Sequence, residues 1–241
     1  MLINCDMGES FGSWTMGQDV LIMQYIDMAN IACGMHASDP TVMKKTVQLA
    51  IKHNVKIGAH PGYPDLQGFG RRHIAMSPEE LESYIIYQLG ALQGICISEG
   101  TEISYVKPHG ALYNDMMRDD DIFNTLLTSI AKYNPALPLM IMAVPDKQRY
   151  IEMANKLGIT LIFEAFIDRT YQSNGRLTPR SADFSVFETL NEMLIQANNL
   201  LSHRKVISPD GDSISIEADT LCIHGDGKLA LELAKALRQR L

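Results

Sequence analysis

Short apolar runs alternate with amphipathic stretches from one end of the chain to the other, which is the pattern of repeated βα units. Residues 1 to 5 open as a strand. Asp39 as N-cap and Pro40 at the first helical position then start a helix, whose core-facing pairs Val42/Met43, Thr46/Val47 and Ala50/Ile51 recur every four residues. A strand at 55 to 59 follows. Ser77, Pro78 and Glu80 form a capping box with proline at its first turn, and the helix it opens carries Leu81, Ile85, Leu89, Leu92 and Cys96 on one face. The pattern next predicts a strand at 103 to 107, a helix through Ile122, Leu126 and Ile130, a strand at 137 to 143, a helix at 146 to 157 and a strand at 160 to 166. After a polar loop from Asp168 to Ala182 come a helix at 185 to 202, a hairpin around Asp210-Gly211, a strand at 220 to 223 and a terminal helix with Leu229, Leu233, Leu237 and Leu241 on one face. Seven or eight βα units in a single domain, residues 1–241, suit a TIM-like (β/α) barrel, while periodicity equally allows an open doubly wound sheet.

Composition narrows the class. An apolar fraction of 46% over 241 residues supplies a large core, and the net charge of −7 comes without a basic block, so nucleic acid is not an expected partner. No apolar stretch reaches membrane-spanning length and the N-terminus does not resemble a signal peptide, so a soluble cytoplasmic protein without a membrane partner is expected. Cys5, Cys33, Cys96 and Cys222 form no C-x-x-C pair and read as small buried residues.

The candidate chemistry lies where the apolar runs stop. Four runs end in histidine, at His36, His60, His109 and His224, and in α/β folds ligands bind beyond the carboxyl ends of parallel strands. Each histidine alone has an ordinary explanation as a hydrogen-bonded core or loop residue; four at matching positions are harder to dismiss. Asp6 and Glu9 stand at the end of the first strand, two carboxylates able to act as acid and base or to bind a cation. Asp6, His36 and His60 come from three successive strand ends and form a candidate metal triad. The glycine-rich segment 58–72 adds Tyr63, Arg71 and Arg72, with the arginine pair a possible clamp for a carboxylate or phosphate and one of the two expected in a surface ion pair. Lys107 sits inside a strand-like run, and a lysine aimed into a barrel must find a counter-charge. Residues 164–180 contribute Glu164, Asp168, Arg169 and Arg180, and the segment after the last strand contributes His224 and Asp226.

Motifs that are missing matter equally. The sequence GDGK at 225–228 is not a phosphate-binding loop, because Cys222 stands where its first glycine belongs and Leu229 where Ser or Thr belongs. No G-x-S-x-G elbow or G-x-G-x-x-G fingerprint occurs.

Six blocks, INCDMGESFG, NIACGMHASDP, IGAHPGYPDLQGFGRR, VKPHGALYN, EAFIDRTYQSNGRLTPR and LCIHGDG, run from residue 3 to residue 227 and resemble the LamB/YcsF family. The resemblance implies a distorted (β/α) barrel akin to the polysaccharide deacetylase and glycoside hydrolase superfamily. It also implies ATP-dependent opening of 5-oxo-L-proline to L-glutamate as the A component of a 5-oxoprolinase, with partner subunits B and C. ATP, with magnesium, would then be a co-substrate bound with those partners, and a divalent metal of unspecified identity could sit in this chain. Ser38 and Asn174 stand where the family usually has Gly and Asp, residues 183–189 replace a glycine-led segment ending in His-Asp, and Gly227 and Lys228 depart from the usual continuation of the last block.

In that setting Asp6, His36, His60, Lys107, His109 and Glu164 are the candidate catalytic group. Glu9, Tyr63, Arg71, Arg72, Asp168, Arg169, Arg180, His224 and Asp226 are the candidate substrate-binding group. Two other functions fit the same residues: a stand-alone metal-dependent amide or carbohydrate hydrolase or deacetylase, and a non-catalytic component that delivers substrate.

Overall fold

The computed structural model describes residues 1–241. In chain order the strands are β1 (Leu2–Met7), β2 (Met28–Ala32), β3 (Lys56–His60), β4 (Tyr105–Val106), β5 (Leu139–Met142), β6 (Leu161–Phe166), β7 (Lys205–Ile207), β8 (Ser213–Ser215) and β9 (Thr220–Ile223). The helices are α1 (Asp19–Ile22), α2 (Pro40–Lys52), α3 (Pro78–Ser98), α4 (Gly110–Met116), α5 (Asp120–Tyr133), α6 (Gln148–Asn155), α7 (Leu190–His203) and α8 (Ala230–Arg238). Seven parallel strands close into a barrel in the order β1-β2-β3-β4-β5-β6-β9, with β9 pairing both β6 and β1. That closure selects the TIM-like barrel over the open sheet. β7 and β8 form the expected hairpin outside it, with Val206 opposite Ile214. No helix is long and apolar enough to cross a membrane.

Local chemistry explains the element boundaries. The Asp39 carboxylate accepts from the Thr41 and Val42 amides and caps α2, and Ser77 with Glu80 closes a reciprocal box on α3. α7 begins at Leu190, later than the predicted 185, because Thr189 and Glu192 form the box there. Residues just upstream pair back onto the polar loop instead, Val186 bridging Arg169 and Phe187 donating to the Asp168 carbonyl. β4 is shorter than the predicted 103–107 because the Ile103 amide is taken by the Gln93 side chain, while Pro108 has no amide to extend the ladder. α4, directly after His109, and the short α1 were not predicted.

The side chains inside the barrel form two layers. Met28, Tyr105, Met140 and Ile162 make a small apolar cluster separate from the main core that packs between strands and helices. Two residues further along the same strands stand Asn30, Lys107, Met142 and Glu164. Gly58 makes room for the crossing ring of Tyr105, since a Cβ there would lie 2.1 Å from its atoms. The Tyr105 hydroxyl donates to Asn30 Oδ1 at 2.6 Å, joining the layers.

Candidate active site

At the base of the polar layer, Lys107 is held between two carboxylates. Its Nζ donates to Asp6 Oδ1 at 2.8 Å, lies 3.1 Å from Glu164 Oε2 and donates to Cys222 Sγ at 3.2 Å, with all four residues buried. Asn30 Nδ2 donates to Asp6 Oδ1 at 2.7 Å and to Asn4 Oδ1 at 2.8 Å, so the carboxylate is fixed from β2 as well as β4. Burial alone would raise the Asp6 carboxyl; the Lys107 ammonium and His60 override it and hold Asp6 well below the usual carboxylate range. Burial likewise opposes the Lys107 charge, but Asp6, Cys222 and Glu164 push the ammonium well above its ordinary value. Lys107 is therefore a fixed cation at the floor, and the counter-charge anticipated for it is present twice.

A wall of imidazoles rises beside this floor. His60 is the last residue of β3, His109 stands at the N-cap of α4, and His36 lies in the loop between β2 and α2. The His36 and His109 rings stack with centroids 3.8 Å apart and planes 3° from parallel, and His60 meets both edge-on. His60 Nδ1 is 2.7 Å from the Lys107 carbonyl and His109 Nε2 is 2.8 Å from the Phe69 carbonyl. A carbonyl only accepts, so both nitrogens carry hydrogen. The other two nitrogens, His60 Nε2 and His109 Nδ1, face each other at 2.9 Å. Glu9 Oε1 lies 3.7 Å from His109 Nδ1, and Asp6 Oδ2 lies 3.6 Å from His60 Nε2. Burial, reinforced by the neighbouring histidines, pushes His36 and His109 well below the ordinary imidazole value. Burial and the carboxylates of Asp6 and Asp226 push Glu9 well above its ordinary value, against a smaller opposing pull from Arg71.

The loop that folds over these rings needs two of its glycines. A Cβ at Gly62 would lie 2.7 Å from His36 Nδ1, and one at Gly70 would lie 2.7 Å from both His109 Cδ2 and His36 Cβ. Gly70 also has φ +63°. Buried Ser38 takes φ +73°, the conformation that glycine adopts without strain, at the position where the resemblance places Gly.

Above the floor opens a cavity of about 650 Å³, within the range of small-molecule sites of roughly 300–1,000 Å³. Asp6, His60, Lys107 and His109 reach it from below, Phe166 and His224 from one side, and Arg71, Arg169 and Arg180 from above. The arginines differ in what they are free to do. Arg71 pairs with Asp226 at 2.7 Å, and Arg169 is committed to the Ser185 and Thr178 carbonyls, bracing the long loop. Burial and Arg180 lower the Arg169 guanidinium to about 10. Arg180 and Arg118 line the cavity without an ion pair of their own and are the arginines left to meet an anion there. His224 Nδ1 lies 2.8 Å from Asp168 Oδ2 and its ring stacks on Phe166. Burial raises the Asp168 carboxyl, and His224 reverses the shift to leave it below the ordinary range.

Two expected binders turn elsewhere. Arg72 forks onto Asp65 at the surface, the ion pair expected for one arginine of the two, and the Tyr63 hydroxyl donates to Asp115 at 3.0 Å. Of the expected metal triad Asp6, His36 and His60, Asp6 Oδ2 lies 3.6 Å from His60 Nε2 while its Oδ1 pairs with Lys107. Glu9, His36, His60 and His109 bring donor atoms within 4.8 Å of one another, as do Asp6, Cys222 and His224. Asn4, Asn30, Tyr105, Cys222 and Phe166 were not singled out from sequence. The alternation Asn4/Asp6, Tyr105/Lys107 and Glu164/Phe166 carries the signal that finds Asn4, Tyr105 and Phe166, since it places each pair on one face of its strand.

Similarity to known proteins agrees with this geometry. The chain is 53% identical over 239 residues to the A component of 5-oxoprolinase from Vibrio cholerae, covering 99% of this chain and 96% of that one. It is 49% identical to the corresponding 5-oxoprolinase component of Chromohalobacter salexigens, covering 98% and 95%. The crystal structure of a lactam utilization protein from Thermus thermophilus superposes with a TM-score of 0.90 at 40% identity, over 99% of this chain and 94% of that one. A GH113 β-1,4-mannanase, 12% identical with a TM-score of 0.51, shares the fold alone. The model of the LamB/YcsF family matches residues 1–241, and the chain belongs to that family.

Proposed function

We propose that this chain, acting as one domain, is the A component of an ATP-dependent 5-oxoprolinase that opens 5-oxo-L-proline to L-glutamate together with subunits B and C. The observation that carries the proposal is the pairing of a fixed ammonium at the cavity floor, Lys107, with an uncommitted guanidinium above it, Arg180. A lactam acid presents an amide oxygen at one end and a carboxylate at the other, and these two cations suit those two groups. Relatives of about half-identical sequence that are named as this component of 5-oxoprolinase support the same substrate.

A lactam is a resonance-stabilised amide that water attacks slowly, so ATP is used to activate it. Transfer of the γ-phosphoryl group to the lactam oxygen gives an imidate phosphate and ADP. Because GDGK at 225–228 is not a phosphate-binding loop, that step is assigned to subunits B and C, with magnesium accompanying the nucleotide. Water then adds to the ring carbon in this chain's cavity. The adduct breaks its C–N bond as a proton reaches nitrogen, and a second water splits the resulting acyl phosphate into the γ-carboxylate and phosphate.

Asp6, His60 and His109, which reach the cavity, position and activate the attacking water, while Lys107 meets the charge that develops on oxygen. Cys222 is the weakest of its three close partners and the one a substrate oxygen displaces. Glu164 holds Lys107 from behind, Arg180 orients the substrate carboxylate, and His224, held by Asp168, lines the same cavity.

Glutamate release from 5-oxo-L-proline and ATP, measured with the three purified components and with each omitted in turn, tests the assignment. Turnover requiring all three is expected, with Arg180→Gln raising KM. Glutamate formation by this chain alone without ATP, or by subunits B and C without it, overturns the assignment.

A further inference from the structure

We propose that Glu9, His36, His60 and His109 bind one divalent transition-metal cation of the zinc class, at a site separate from any magnesium that accompanies ATP. The proposal does not depend on the identity of the substrate. Its first support is the facing pair of nitrogens. With His60 Nδ1–H given to the Lys107 carbonyl and His109 Nε2–H given to the Phe69 carbonyl, two lone pairs point at each other across 2.9 Å. Unless a proton bridges them, two lone pairs repel in that arrangement, and a cation beside them relieves the repulsion. Backbone carbonyls on the far nitrogens are also the usual device that fixes the tautomer and orientation of metal-binding histidines.

His36 supplies the second, independent support. Its side chain is fully buried, and neither ring nitrogen has a hydrogen-bond partner. A buried polar atom without a partner costs about 1–3 kcal/mol, and a cation removes that cost for the one nitrogen that binds it. The loop glycines Gly62 and Gly70 press on this ring so closely that it has little freedom to turn elsewhere.

Charge and spacing complete the case. Three buried carboxyls, Asp6, Glu9 and Glu164, accompany one ammonium, Lys107, so a dication brings the formal charge of the group to zero. Glu9 Oε1 lies 3.7 Å from His109 Nδ1 and no Lys or Arg lies within ion-pair distance of its carboxylate. Tetrahedral ligation at about 2.0–2.1 Å sets neighbouring donor atoms about 3.4 Å apart. The 2.9 Å between His60 and His109 and the 3.7 Å between His109 and Glu9 bracket that spacing. Three imidazoles with one carboxylate favour zinc, cobalt or nickel over magnesium or calcium, which prefer oxygen ligands.

The second group of donors, Asp6, Cys222 and His224, is a poor rival. Asp6 and Cys222 both already accept from the Lys107 ammonium, and His224 Nδ1 is engaged by Asp168. A cation placed there would meet Lys107 head-on.

The test uses the full chain, freed of metal with a chelator, then titrated with cobalt chloride and zinc sulfate. One equivalent of Co²⁺ should bind with a visible d–d spectrum, and zinc should displace it. Glu9→Gln and His36→Gln, checked for folding by circular dichroism, should each weaken binding by at least about 100-fold. Cys222→Ser should bind as the wild type does, without any thiolate charge-transfer band to lose. Absence of stoichiometric uptake by the folded wild-type chain, or equal uptake by both glutamine variants, overturns the site. Glutamate release by the three-component mixture is scored separately, so loss of metal uptake with turnover intact rejects only the metal, and metal uptake without turnover rejects only the 5-oxoprolinase assignment.

Discussion

The two layers inside the barrel use the same strands to opposite ends. On β2, β4, β5 and β6, the residues Met28, Tyr105, Met140 and Ile162 fill the lower layer with apolar bulk. Two positions further along, Asn30 on β2, Lys107 just past β4 and Glu164 on β6 build a charged and hydrogen-bonded floor with Asp6 of β1, and Asn4, in register with Met28, bonds up to it. Along β2, β4 and β6, a one-layer step thus changes the surroundings from apolar packing to polar and ionic pairing, while on β5 Met142 follows Met140. Closing the lower layer lets the upper one be polar without opening a channel, so the free energy of the upper layer can be spent on holding Lys107 and the histidines in place rather than on cohesion.

The sharpest way to break this contrast is to remove the charge from the upper layer. Lys107→Met keeps the length of the side chain and strips both carboxylates of their partner. Breaking a buried ion pair from one side costs about 3–5 kcal/mol, and losing one donor to a developing oxyanion costs about 100- to 1,000-fold in kcat. Thermal unfolding and glutamate release by the three-component mixture measure the two effects. A variant that keeps full turnover would place the chemistry elsewhere in the cavity.

Met140→Ala probes the other layer. Deleting a fully buried methionine side chain there should cost about 2–5 kcal/mol while leaving kcat per folded molecule unchanged. Denaturant titration gives the first number and active-site-normalised turnover the second. A loss of kcat comparable to that of Lys107→Met would show that the layers are not mechanically separate.

At the far rim, Asp168 offers a test by pH. Its folded-state pKa lies below the ordinary value because His224 overcomes burial. A depressed carboxyl stabilises the fold fully above its unfolded pKa of about 3.9 and loses that contribution as pH falls through the lower folded value. Asp168→Asn should therefore cost about 1.5–3 kcal/mol at pH 7 and flatten the fall of stability below pH 4. Unfolding free energy measured from pH 3 to pH 7 distinguishes this from a uniform loss, which would mean that His224 does not hold the carboxylate.

Much of this architecture was legible in the chain because local signals agreed with the fold. The caps at Asp39 and Ser77 and the apolar runs of β1, β3, β6 and β9 are readable residue by residue. The start of α7 was equally readable from Thr189 and Glu192, and was missed because apolar Val186 and Phe187 resemble a first helical turn while they pair with the loop after β6. The grouping of Glu9 with the three histidines was not legible for a different reason. Which carboxylate joins His36 and His60 depends on where Lys107 points, and that is a contact between residues a hundred positions apart that no local pattern carries. Arg71 and Arg72 show the same limit, since adjacent residues of one type turn to Asp226 and Asp65 respectively.

Tyr105 marks the boundary between the layers and gives the mildest test of it. Its ring belongs to the lower layer, packed where Gly58 leaves space, and its hydroxyl is the single group of that layer that reaches Asn30. Tyr105→Phe keeps the packing and removes one hydrogen bond, for an expected loss of about 1 kcal/mol. Asn30 retains its bonds to Asp6 and Asn4, so Asp6 should stay in place and kcat should change less than about threefold, well short of the effect at Lys107. If turnover instead fell with the hydroxyl, Asn30 would depend on the lower layer for its orientation, and the packing beneath the floor would set the position of the Asp6 carboxylate above it.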